Sequence, residues 1–126
     1  MAVSPFVVFF APDSTRITGS FGVMLDNAVA TFRAHNVRQV RIVGHADRAG
    51  PAQYNQDLSR RRAEAVRAEL IRRGYSGAFI IEARGEENPL VETDDGVAHM
   101  ENRRVEIIMA CFPNPGTNFE YMRCPQ

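Results

Sequence analysis

The stretch from Gly50-Pro51 to Gly74 limits the fold more than any other part of the chain. Gly and Pro open it, Gly closes it, and neither residue interrupts it. It therefore predicts one long helix running to Arg73. Leu58, Val66 and Leu70, with Ala63 beside them, make its buried stripe. Arg72 and Arg73 suit the negative end of its dipole. Val37 to Val43 precedes it and Phe79 to Ala83 follows it, both β-rich. A long helix between two short strands is a crossover connection, which calls for parallel strands in one sheet.

The remaining elements fit the same plan. Residues 5–10 are rich in Val and Phe and stop at Pro12, so they predict a first strand. Residues 20–35 show helical spacing through Phe21, Leu25, Ala28, Val29 and Phe32, with Ser20 as cap and Asn36 as stop. Val105, Ile107 and Met109 mark a fourth strand. The polar segment 85–102 predicts a long loop with a short helix near Val97 to Glu101. The sum is β-α-β-α-β-β. This is an α/β chain of the α+β sandwich type, with a mixed four-stranded sheet and the helices on one face. The expected domain covers residues 1–110, and residues 111–126 form an irregular tail.

Composition excludes more than it assigns. The 126 residues carry fifteen basic and fifteen acidic side chains, and every basic one is Arg. Without Lys there is no Schiff-base chemistry and no P-loop lysine. Codon bias explains that absence as readily as function does. The neutral balance, and a long helix whose arginines lack interleaved aromatics, argue against a nucleic-acid partner. The longest apolar run, Pro5 to Pro12, is too short to span a bilayer, so no transmembrane segment is expected. Cys111 and Cys124 are either free or joined. Joined, they would close a small loop worth about 3 kcal/mol.

Three clusters carry the polar chemistry. Gly44-His45-Ala46-Asp47 ends the second strand, where α/β sheets commonly bind ligands. Asp47 there caps a turn or the long helix, a role compatible with ligand binding. His45 fits a structural hydrogen bond beneath the loop better than a metal or a base. In Arg60-Arg61-Arg62, consecutive residues point about 100° apart, so the three cannot face one ligand. Arg62 falls at the edge of the buried stripe, and its partner is either an internal carboxylate or an anion in the crevice. In Asn102-Arg103-Arg104, Asn102 can close a loop, and the two arginines point to opposite faces of the last strand. No nucleophile elbow, P-loop or dinucleotide fingerprint is present. No catalytic set, metal set or cofactor is expected. His45 with Asp47 does not make a hydrolase without a nucleophile or metal.

In order along the chain, FVVFFAPDSTRI at 6–17, VRIVGHADRAGPAQYNQDLSRRRAEAVRAELIRRG at 40–74, ARGEENPL at 83–90 and ENRRVEIIM at 101–109 resemble the OmpA-like peptidoglycan-binding domain. The Ala46 form of the GHAD motif is similar to the Pal branch. The resemblance implies non-covalent binding of the peptidoglycan peptide stem at diaminopimelate, anchoring an envelope protein to the cell wall. Asp47 would hold the diaminopimelate ammonium and Arg62 its carboxylate. Asn55 and Leu58 match positions that line or support the site. Asn102 and Arg103 match positions that frame it or contact the peptide, and Asp13 matches more loosely. It further implies a periplasmic, outer-membrane-associated setting, no enzymatic step, and peptidoglycan as partner, with envelope proteins as a second class. A Cys111–Cys124 bond would agree with that compartment. The rival reading is a protein–protein assembly domain of the envelope with a degenerate wall site.

Overall fold

The computed structural model describes residues 6–85, 93 and 102–109. Strand β1 is Phe6–Phe9, helix α1 is Gly22–Ala34 and strand β2 is Gln39–Gly44. Helix α2 is Ala52–Arg72, strand β3 is Ala78–Ala83 and strand β4 is Arg104–Met109. The sheet order is β1-β4-β2-β3. β2 and β3 pair in parallel across the α2 crossover, as the sequence predicts. β4 runs antiparallel to both neighbours, so the sheet is mixed. The last strand of the described chain thus lies between β1 and β2, which makes β1 and β2 parallel to each other but not adjacent.

One face of the sheet carries Val8, Val40, Ile42, Val105 and Ile107, all fully buried. They form a single core with Leu25, Ala28, Val29 and Phe32 of α1 and Ala63, Val66 and Leu70 of α2. Both helices therefore cover the same face. Phe32, Tyr75 and Phe79 stack edge to face through this core.

The helix ends follow local rules, with one correction. After α1, Asn36 takes φ 53°. After α2, Gly74 takes φ 107°. Val37 N–H reaches back to Phe32 O, and Tyr75 N–H to Leu70 O. Each is a Schellman stop, with an apolar residue folded back onto the core. Ser20 does not cap α1: it lies within a 3-10 turn, Gly19–Phe21, that runs straight into the helix. The backbone amides of Phe21 and Gly22 already bond to Thr18 O and Gly19 O, so no side chain is needed there. Ser20 Oγ instead meets Thr18 Oγ1. Pro51, with extended ψ 144°, is the cap residue of α2.

Gly44 sets how closely α2 approaches the sheet. A Cβ there would sit 2.0 Å from Ser59 O and 3.3 Å from Ala63 Cβ. The absent side chain lets α2 rest directly on the end of β2, and this brings Arg62 over the loop that follows. The two cysteines, His99, residues 86–92, the short helix near Val97 to Glu101 and the tail lie outside the described residues.

Candidate functional site

Because β4 runs antiparallel, it begins where β1 and β2 end. Phe9 pairs with Arg104, and Gly44 with Val105. The ladder continues past the strands: Phe10 N–H donates to Arg103 O, and His45 N–H to Arg104 O. Three loops therefore meet at one edge of the sheet, above the first half of α2. They carry residues 10–14, residues 45–50 and the approach to β4.

Arg62 is the keystone of this meeting. It is fully buried, more so than a place at the edge of the stripe implies. Within the described residues its hydrogen bonds go to backbone carbonyls rather than to a carboxylate. Nε donates to Ser14 O at 2.9 Å, Nη1 to His45 O at 3.2 Å and Nη2 to Ala11 O at 3.1 Å. The guanidinium also lies over the Phe10 ring, 5.3 Å from its centre. A planar fork suits three carbonyls from two separate loops, which a single ammonium cannot match. Burial strips water from the cation and lowers its pKa to about 10, with the nearby charge of Asp47 opposing that shift. Arg103 acts against the cation and Asp13 for it. The group stays protonated at neutral pH.

Asp47 is buried and uses both oxygens. Oδ1 accepts Ala49 N–H at 3.1 Å, which caps the turn, as the sequence predicts. Oδ2 accepts Arg103 Nη1 at 2.8 Å, with side-chain exposures of 11% for Arg103 and 7% for Asp47. Arg103 Nε donates to Phe10 O at 2.9 Å. Asn102 and Asn55 are buried alongside, and Asn55 Nδ2 faces Gly50 O at 3.4 Å. Leu58 is buried but stands apart from the main core. Asp13 is exposed at φ 53° on the loop that supplies the carbonyls of Ala11 and Ser14.

His45 is structural, as expected: Nε2 lies 2.7 Å from Glu106 Oε1 on the sheet face away from the helices. That hydrogen bond holds the Glu106 carboxyl below the usual carboxylate range. Arg103 and Arg104 do point apart. Arg103 reaches Asp47, and Arg104 Nε lies 3.8 Å from Glu106 Oε2.

Sequence reasoning missed the fasteners. Ser59 Oγ accepts Gly85 N–H at 2.9 Å, and Gln56 Nε2 donates to Ala83 O at 2.6 Å, so α2 also clamps the end of β3. Ser59 was detectable in principle, since it lies one turn before Arg62 on the same face. Gln56 carries no such signal.

Comparison with known proteins covers this whole assembly. The model of the OmpA family matches residues 9–103. A peptidoglycan-associated lipoprotein of Haemophilus influenzae is 36% identical over 77% of this chain and 64% of its own length. An outer membrane protein of Gluconacetobacter diazotrophicus is also 36% identical, over 82% of this chain but 29% of its own length. The chain thus spans less than two thirds of either relative. Among solved structures, the peptidoglycan-associated lipoprotein of Burkholderia pseudomallei superposes with TM-score 0.72 at 28% identity, covering 81% of this chain and 87% of that one. The periplasmic domain of Helicobacter pylori MotB shares the fold at TM-score 0.71 and 21% identity, covering 86% and 73%.

Proposed function

The chain belongs to the OmpA family, and from that premise we propose that it binds peptidoglycan non-covalently, through the diaminopimelate of an uncrosslinked peptide stem. The binding would tie an envelope component to the cell wall from the periplasmic side of the outer membrane. The observation that carries this reading is the charge arrangement at the loop junction. One buried carboxylate, Asp47, stands beside two guanidinium groups, Arg62 and Arg103. The free end of diaminopimelate bears an ammonium and a carboxylate on one carbon. Asp47 suits the first, and the guanidinium charge suits the second. Asn55, Leu58 and Asn102 support the loops that hold these groups, and Asp13 lies at the rim. No bond is made or broken, and the reading calls for no cofactor or metal. Among the described residues no helix is long and apolar enough to cross a membrane. The names of the Haemophilus influenzae and Burkholderia pseudomallei relatives support the same partner.

The test is calorimetric binding of a soluble, diaminopimelate-containing muropeptide to the parent chain and to Asp47→Asn. The parent should bind, and the near-isosteric variant should lose at least tenfold in affinity. A parent that does not bind sinks the wall-binding reading and favours an assembly role for the same fold. Equal affinity in the variant sinks the site.

A further inference from the structure

We propose that the chain pairs with a second copy of itself through the free edge of β3, in an antiparallel register centred on Ile80. The inference is independent of what the loop junction binds. Among the described residues β3 is hydrogen-bonded along one side only, to β2. Ala78 N–H donates to Arg38 O and Arg84 N–H to Gly44 O at the two ends of that ladder. Backbone groups alternate along a strand, so within β3 the residues Phe79, Ile81 and Ala83 turn theirs outward. Gln56 Nε2 already takes Ala83 O. Phe79 and Ile81 remain, each with a donor and an acceptor facing away from the sheet.

Such an edge is a template for another strand, and folds usually guard it with charge, Pro or a bulge. β3 has none of these guards. It contains no Pro, and its register against β2 runs without a break. Its one charged residue, Glu82, is tied back to Arg41 at 2.6 Å and to Arg84 at 3.3 Å. At the opposite edge β1 is four residues long and runs toward Pro12, and arginines take the carbonyls of Phe10 and Ala11. Apolar side chains flank β3 on both sides. Phe79 and Ile81 pack toward the core, so Ile80 faces the other way and is 40% exposed. Ile71 of α2 is 49% exposed above the same edge.

Two features select a second copy as the occupant. The first is the register. About Ile80, Phe79 of each copy lies opposite Ile81 of the other, so the outward donors and acceptors of both copies are all matched. Ile80 then meets Ile80, and Glu82 falls opposite Ala78, with no like charges face to face. Centring on Ile81 would require the Ala83 carbonyl that Gln56 occupies. Centring on Phe79 would set Ile81 against Gly77, which has no side chain to meet it. The second feature is charge on α2, which runs opposite to β3. Gln56 sits at Ala83, and the Arg67 guanidinium lies 5.5 Å from the centre of the Phe79 ring. Glu64, one turn earlier, is 3.6 Å from Arg67, and both are about half exposed. A two-fold axis through Ile80 sets Arg67 of each copy against Glu64 of the other. An unrelated extended peptide would fill the backbone edge but make no use of this alternation. The two loop junctions lie at opposite ends of the pair, and neither is covered.

The contact is small, so the dissociation constant should fall between about 10 μM and 1 mM, a range that sedimentation equilibrium reads. Ile80→Lys puts like charges on the axis from an exposed position and should abolish association. Glu64→Arg and Arg67→Glu should each weaken it about fivefold, and the double exchange, which restores opposite charges, should recover most of that loss. Ile80→Cys should give a linked dimer under mild oxidation, because facing Cα atoms there lie about 4.5 Å apart. Ala78→Cys should link no more than the parent does. A parent that stays monomeric throughout overturns the pairing and leaves the edge to an extended segment of another protein. Undiminished association in Ile80→Lys overturns it as well, and equal linking at Ala78→Cys and Ile80→Cys overturns the register. Should Ile80→Lys fail to fold, the charge exchange decides: no recovery in the double variant rules the pairing out.

Discussion

Arg62 stands on α2 and Arg73 caps its C-terminal end about three turns on, and their surroundings are opposite. Arg62 is sealed from water and held by three backbone carbonyls. Arg73, at the far end, donates to Glu69 Oε1 at 2.8 Å, to Asp26 Oδ1 at 2.7 Å and to Gly22 O at 3.2 Å, and Arg72 shares the same Glu69. That second cluster contains carboxylates, faces solvent and is redundant. The difference shows that an arginine's chemistry follows from what surrounds it. At the surface, water is a ready substitute partner, so the ion pairs join α1 to α2 only loosely. In the interior no substitute exists, so one side chain decides where two loops lie. The His45–Glu106 pair is intermediate: the ring is buried and the carboxylate is partly open.

The comparison breaks if these three places respond alike to mutation. Arg62→Ala should have the largest effect. It removes the donor shared by the carbonyls of Ala11, Ser14 and the buried His45, which costs about 3 kcal/mol in denaturant unfolding. Arg62→Lys should restore only part of it, because an ammonium lacks the planar fork. A loss no larger than that at Arg73 would show the carbonyl cradle to be unimportant.

Glu106→Gln should cost less, about 1 kcal/mol at neutral pH, and its cost should depend on pH. The hydrogen bond from His45 lowers the carboxyl's pKa in the folded chain. Its stabilisation is therefore complete above the ordinary carboxylate value, about 4.3, and is lost as pH falls through the lower folded value. Parent and variant should converge in stability on acidification below about pH 4. A gap that stays constant with pH would show that the pair contributes by packing alone.

Arg73→Ala should have the smallest effect of the three. The shift in unfolding midpoint should shrink further in about 1 M salt, where screening acts over about 3 Å. A salt-independent loss would mean that the cluster is less open to water than its geometry shows.

Much of the scaffold was legible because its signals are local. Asn36 and Gly74 mark helix stops by the backbone geometry they tolerate, and both take positive φ. Strand alternation sends Arg103 and Arg104 to opposite faces whatever the topology. Asp47 caps its turn through an amide two residues away. Ser20 misled for an equally local reason, since a 3-10 turn had already bonded the amides that it would have capped.

The amino-acid sequence by itself determined the elements, their stops, the family and a short set of charged residues near the second strand's end. Tertiary structure alone decided what those charges do. The insertion of β4 between β1 and β2 brings Arg103 to Asp47 across 56 positions of chain. The close seat of α2 on Gly44 brings Arg62 to the carbonyls of Ser14 and Ala11, 48 and 51 positions away. The physical reason is that every residue offers a backbone carbonyl, so no sequence pattern marks those that a buried cation will take. Only the folded chain brings particular carbonyls together and removes the water that would otherwise compete for them.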